Sequence, residues 1–559
     1  MSNVPWPVAT STHRALMCQE IVDNICEFLD PYRREKFHRE QGKKASISKR
    51  ALKELACTCK AFSDPALRVL WRRLRDISDL LQLLPQYVPL RPSEAFSLEF
   101  DRVRQLLSDE PADHDWERLR SYAVRVRVLE YGSWRPVDDA SLEILSKKCN
   151  GEPLLPRLDN LQLSFDFGLP RISNLGLLIQ LLVPTSLRYL KLSGNGYGTT
   201  QDHQRQYQEL FQDIVSRAPH LRHLSFRGDV DQCSYLYPIK ALRDVQKLSF
   251  DCNYLIDTTI LAYCASLPSL RELSCRINTR ATKYPDIRGA FELLSRISIC
   301  GSAEDVVWFF KEISVTNLYD ITLFLDRATD MDELLRLLSE VLTLFTPTLR
   351  KLYVEIDIES SELLPLVVAI EPLLNLRSLE SFTMESTSPI AISPDDLMRM
   401  ASAWPDIIAL HIYDRSSSST ASVLPAQVLE HIALRFPRLE SLKLPRLDLT
   451  QLPPQAQEPV LDHGLVDLQF LPSRPRRDGE EHSQDSLGHD IWLNAAVFVD
   501  RLFPRLDLNG NAIIAERKGG RKFANFLSAL RCGRERAEAL DKLRVDVGEE
   551  PYFLDSIIL

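Results

Sequence analysis

The stretch Leu187-Arg188-Tyr189-Leu190-Lys191-Leu192 places apolar side chains in the order apolar-x-x-apolar-x-apolar. The same spacing returns at Leu221, Leu224, Phe226; at Leu270, Leu273, Cys275; at Leu349, Leu352, Val354; and at Leu439, Leu442, Leu444. Working outward, its middle position recurs at Leu129, Leu161, Leu190, Leu224, Leu248, Leu273, Ile297, Ile321, Leu352, Phe382, Leu410, Leu442 and Leu468. Neighbouring copies lie 24 to 34 residues apart, and the central copies are the most regular. A short unit of this kind cannot bury its apolar face alone, so copies must stack on one another into a solenoid.

Between copies, QYQELFQDIVSRAP, TTILAYCASLP, DMDELLRLLSEVLTLF, SPDDLMRMASAWP and PAQVLEHIALRFP carry apolar residues at helical spacing. Ser393 before Pro394 is a ready helix start. Pro156, Pro219, Pro268, Pro347, Pro405 and Pro437 each stand two residues ahead of the next motif, where a proline ends a helix and leads into extended chain. Each unit therefore reads helix, proline turn, short strand. The expected fold is α/β, with parallel strands on a concave face and helices on the convex one. Residues 120–470 resemble leucine-rich repeat proteins of the long-repeat, ribonuclease-inhibitor-like kind.

Alternation along a strand sends the x positions to the concave surface. One such column runs Lys191, Ser225, Ser249, Ser274, Ser298, Thr322, Tyr353, Thr383, His411, Lys443; the next runs Ser193, Arg227, Asp251, Arg276, Cys300, Phe324, Glu355, Glu385, Tyr413. Arg227, Arg276, Phe324, Tyr353, Glu355, Glu385, His411 and Tyr413 are the candidate contacts for a partner protein on this face. A plain solvated sheet surface would also carry such residues.

The first eighty residues follow a different pattern. Leu16, Met17, Ile21, Ile25, Phe28 and Leu29 fall at helical spacing up to Asp30–Pro31; Leu52, Leu55, Ala56, Cys59 and Phe62 form a second set up to a break at Asp64–Pro65; Leu67, Leu70 and Trp71 close a third. Three short helices make a core too small to be robust alone. Through Glu20–Ile21, Ile25…Phe28–Leu29, Leu52…Leu55…Cys59…Phe62 and above all Leu70–Trp71–Arg72, the segment resembles an F-box. In place of that family's usual proline before the glutamate stands Cys18–Gln19. The resemblance implies a Skp1-like adaptor as partner, contacted at or just behind the surface by Met17, Ile21, Ile25, Leu29, Leu55, Cys59, Leu67, Leu70 and Trp71. Through Skp1 it implies a cullin and a ubiquitin-conjugating enzyme. A generic helical cap on the solenoid is the alternative. A basic stretch within 32–50, with Arg33, Arg34, Lys36, Arg39, Lys43, Lys44 and Lys49, reads as a solvated loop.

The expected organisation is a flexible 1–11, the F-box at 12–75, a helical linker or cap at 76–119, the repeat array at 120–470, a flexible loop at 471–490, and a final repeat with C-terminal cap at 491–559. A capping helix is expected near Lys522–Arg531.

The rest of the chain narrows the function by exclusion. A net charge of −9 gives no global case for nucleic acid, and no apolar stretch is long enough to span a bilayer. Without a visible secretory signal, and with eleven scattered cysteines, a cytoplasmic or nuclear setting is expected. Gly194–Asn195–Gly196–Tyr197–Gly198 lacks the lysine of a phosphate loop, Cys57 and Cys59 have no second ligand pair, and no nucleophile, base and oxyanion group assemble. No cofactor or metal is called for. The expected function is the substrate-recognition adaptor of an SCF-type ubiquitin ligase; a leucine-rich-repeat scaffold without a ligase role is the alternative.

Overall fold

The structure is a computed structural model describing residues 18–32, 41–87, 107, 109–132, 137–165, 175–194, 201–227, 234–251, 255–277, 287–313, 315, 317–325, 339–340, 348–357, 364–414, 423–452, 461, 463–472, 489–508 and 518–547. The chain divides into two compact units, the first running to Arg276 and the second from Ile277 onward.

In the first unit, strands β1 (Arg73–Leu74), β2 (Val128–Gly132), β3 (Asn160–Phe165), β4 (Tyr189–Gly194), β5 (His223–Arg227), β6 (Lys247–Phe250) and β7 (Glu272–Ile277) form a parallel ladder in sequence order. Its register matches the motif residue for residue: Leu74, Leu129, Leu161, Leu190, Leu224, Leu248 and Leu273 stand side by side. The second unit repeats the device with β8 (Arg296–Gly301), β9 (Asp320–Leu325), β10 (Lys351–Ile356), β11 (Ser381–Ser386), β12 (Ala409–Asp414), β13 (Ser441–Asp448) and β14 (Asp467–Pro472). Ile297, Ile321, Leu352, Phe382, Leu410, Leu442 and Leu468 align there, with a bulge in β13 between Leu444 and Arg446.

All thirteen repeating middle residues are at most 3% exposed. Removing a leucine side chain from water contributes about 1.5–3 kcal/mol, so this column is the principal force ordering the stack. The aliphatic residue three positions ahead of it, as at Leu187, Leu221, Val245, Leu349 and Leu439, is buried as well.

Helices return the chain between strands. The head consists of α1 (Gln19–Phe28), α2 (Gln41–Thr58) and α3 (Lys60–Leu70). Next come α4 (Asp113–Ala123), α5 (Asp139–Cys149), α6 (Leu175–Leu182), α7 (Gln201–Arg217) and α8 (Thr258–Ala265). The second unit holds α9 (Ala303–Glu312), α10 (Pro394–Ala403), α11 (Val428–Arg435), α12 (His489–Leu502) and α13 (Lys518–Val547). The proline rule has a visible mechanism in α10 and α11. Trp404 and Phe436, next to Pro405 and Pro437, leave helical geometry with ψ of 70° because a following proline disfavours the α conformation. Ser393 caps α10 with a reciprocal bond to Asp396, as its sequence context predicts.

Several expectations need correction. The return between β5 and β6 is a 3₁₀ helix, Ser234–Ala241, with Pro238 inside it, and none of residues 287–295 ahead of β8 is helical. The basic stretch expected as a loop within 32–50 is helical from Gln41 on, continuous with the helix that carries Leu52. The head's second break falls at Cys59, which is extended (φ −157°, ψ 166°), and α3 runs through Pro65. Burial of Pro65, Ala66 and Val69 offsets the backbone bond that the proline removes. Cys57 and Cys59 therefore do not share one helix. The capping helix expected near Lys522–Arg531 is part of a longer one, α13. The flexible 1–11, most of the 471–490 loop, the glycine-rich run at 195–198 and most of the helix expected at 330–345 lie outside the described residues. Among the described residues no helix is long and apolar enough to cross a membrane.

Candidate functional site

Two surfaces carry the residues singled out by the sequence: the head, and the open face of each ladder.

The core of the head is small. Val22, Cys26, Leu52, Ala66 and Val69 are buried, with Leu29, Leu55, Ala56, Phe62 and Leu70 packed partly against them. Of the predicted adaptor contacts, Leu29, Leu55 and Leu70 thus face inward for much of their area, Ile25 and Leu67 are half-buried, and Cys59 is exposed. Met17 lies outside the described residues. Trp71 is half-buried against Tyr122, with ring centroids 4.8 Å apart. Three large apolar side chains stay in solvent: Ile21 at 40%, Phe28 at 69% and Ile47 at 69% exposure. Phe28 and Ile47 are absent from the predicted contacts. Phe28 belongs to the apolar spacing of its helix, and Ile47 is an isolated apolar residue in a basic run; each signal needed the helix faces to be placed before it could be read.

On the first ladder, Ser225, Ser249 and Ser274 form the middle of the open face. Charges flank them: Lys247 pairs with Glu272 at 2.8 Å, and Arg227 with Asp251 at 3.3 Å. Tyr189 and His223 meet edge to face at 5.9 Å. Burial and the neighbouring Lys247 hold the His223 imidazole below its ordinary pKa. Arg276 is half-buried at the last strand of this ladder.

The second ladder gathers the other candidates. Phe324 of β9 packs its ring against Tyr353 of β10 at 5.6 Å. The Tyr353 hydroxyl lies 2.9 Å from Glu355 and 2.5 Å from Glu385. Burial first, then these two carboxylates, push the Tyr353 phenol well above its usual pKa, so it remains the proton donor between them. His411 of β12 lies edge-on to Tyr413 at 6.1 Å, and Lys443 sits over the Tyr413 ring at 5.4 Å.

His411 anchors a chain of hydrogen bonds crossing four strands. The Ser441 hydroxyl donates to Asp467 at 2.9 Å, so at 2.8 Å from His411 it can only accept from Nε2–H. Nδ1 is then the acceptor facing the Thr383 hydroxyl at 3.4 Å. This tautomer requires a neutral ring. Burial, helped by the Lys443 charge and opposed by Asp467, pushes the His411 pKa down to about 4. Serine, histidine and aspartate are all present, but in the wrong order for nucleophilic catalysis: the carboxylate holds the serine, not the imidazole. The arrangement is a rigid polar surface.

The structure thus brings Phe324, Tyr353, Glu355, Glu385, His411 and Tyr413 together on one ladder and places Arg227 and Arg276 on the other. Of the partners in the His411 chain, Thr383 was placed on this face but not singled out, and Ser441 and Asp467 escaped the sequence reading. Among the described residues no group of three or more His, Cys, Asp or Glu could hold a metal ion. No protein-family model matches the chain, and no curated protein is significantly similar to it.

Proposed function

We propose that this chain is the substrate-recognition adaptor of an SCF-type ubiquitin ligase. In this reading the three-helix head is an F-box that docks a Skp1-like adaptor, and the strand–helix ladders are a leucine-rich-repeat solenoid whose open face holds the target protein. The chain supplies proximity rather than chemistry: a tethered target reaches an effective concentration on the order of millimolar near the loaded ubiquitin-conjugating enzyme.

The observation carrying this reading is the head itself. A three-helix body with five buried core residues leaves Ile21, Phe28 and Ile47 in solvent and closes on Leu70–Trp71–Arg72. Large apolar side chains left exposed on so small a body support a docking surface there. Phe28→Asp with Ile47→Asp is the sharper test, because both side chains are mostly exposed, whereas truncating Leu70 or Trp71 would disturb the packing of the head. Capture of recombinant Skp1 by the full chain should fall about tenfold or more in the double variant, with the circular dichroism spectrum unchanged. Failure of the unaltered chain to bind Skp1, or equal binding by both, would refute the assignment.

A second reading, a repeat scaffold or regulator without a ligase role, draws on the second ladder. Its ordered Thr383–His411–Ser441–Asp467 chain and aromatic cluster make a specific surface that has no need of the head.

A further inference from the structure

We propose that Arg72 and Arg73 form a rigid joint that fixes the head against the first ladder, and that they act as positioning residues for whatever the two surfaces hold. The consequence for ubiquitin transfer rests on the adaptor reading; the joint itself does not.

Only Trp71 and Arg72 separate the end of α3 from β1, so no flexible linker intervenes. Each arginine is tied to both bodies. The Arg72 carbonyl accepts from the ladder amides of Arg127 and Val128 at 2.8 and 2.9 Å. Its guanidinium reaches back to the head, engaging Glu27 with both nitrogens and Asp30 at 3.2 Å. Arg73 sits in β1 opposite Val128, stacks over the Tyr32 ring of the head at 4.8 Å, and pairs with Glu130 of β2. A second set of ties runs alongside. Asp64 of α3 binds Arg125, just ahead of β2, at 2.7 Å and Arg68 at 3.1 Å, while Trp71 packs on Tyr122.

Isolated surface ion pairs are worth little, but here forked guanidinium contacts, ring stacking and strand pairing converge on two consecutive residues. A loose tether would need none of this. The joint also pairs the ladder's first edge, which would otherwise stand open.

The test compares the full chain with Arg72→Ala/Arg73→Ala and, separately, with Glu130→Gln, which cuts one tie from the ladder side without touching the head. Hydrogen exchange should accelerate about tenfold or more at the 125–128 amides in the double variant, with 160–165 and the 19–28 helix unchanged; Glu130→Gln should give a smaller change of the same kind. In a reconstituted Skp1–cullin assembly brought to equal Skp1 occupancy, self-ubiquitination should spread over more lysines in the double variant than in the unaltered chain. Unchanged exchange at 125–128 would overturn the joint. Faster exchange with an unchanged lysine pattern would overturn the positioning role. Absence of Skp1 binding by the unaltered chain would sink the adaptor reading instead, leaving the exchange arm to decide the joint.

Discussion

The two ladders carry the same kind of buried column and differ along much of the open face. In the first, the middle of that face is small hydroxyls, Ser225, Ser249 and Ser274, between flanking ion pairs. In the second, the column begins with the small hydroxyls Ser298 and Thr322 and then turns to Tyr353, Thr383, His411 and Lys443, among which run ring contacts and a four-member hydrogen-bond chain. The contrast separates two jobs. Apolar positions set where each strand lies; the residues between them are free to become chemistry, and only the second ladder has used that freedom heavily.

Breaking the shared part should cost most, and equally in either unit. Leu224→Ala in the first ladder and Leu410→Ala in the second should each destabilise by about 2–5 kcal/mol, read as a lower urea midpoint. A large cost in one ladder and none in the other would show that the columns are not equivalent.

Changes on the open faces should diverge. Ser441→Ala leaves the His411 Nε2–H without its acceptor and Asp467 with only the Gln469 amide as side-chain donor, an expected loss of about 1–3 kcal/mol. Ser249→Ala on the first ladder should stay within about 0.5 kcal/mol. Equal effects would erase the distinction between the faces.

The smallest and most specific difference concerns pH. The folded pKa of His411 lies below its unfolded value, so the unfolded chain takes the proton first as pH falls. Its contribution to stability is complete above about pH 6.5, declines as pH drops, and is exhausted near the folded value of about 4. His411→Gln should flatten that part of the stability–pH curve in urea titrations. His223→Gln on the first ladder should alter it less, and the reverse order would contradict the assignment of the deeper network to the second ladder.

How much of this was legible beforehand follows from the range of each interaction. The repeating column was readable because burial imposes a period, and every motif from Leu129 to Leu468 lies in a strand where that period puts it. Strand β1 was not, since two residues, Arg73 and Leu74, carry no motif; they pair because the head delivers them to the edge. The helix break at Cys59 rather than Pro65 was hidden for a similar reason: Pro65 is tolerated only because packing of the head buries it. On the second face, His411 and Tyr413 were identifiable as outward positions. Ser441 and Asp467 lie in another column, 30 and 56 residues further on, and only the register brings them to the imidazole.

That register is the claim beneath all others, and chemical cross-linking reads it most directly. With Ser225→Cys and Ser249→Cys introduced together, a short bis-maleimide should join the two positions in high yield, identified by peptide mass spectrometry, because they stand opposite each other on neighbouring strands. Ser193→Cys with Ser249→Cys, two strands apart, should not link. Efficient linkage of the second pair, or none of the first, would contradict the ladder.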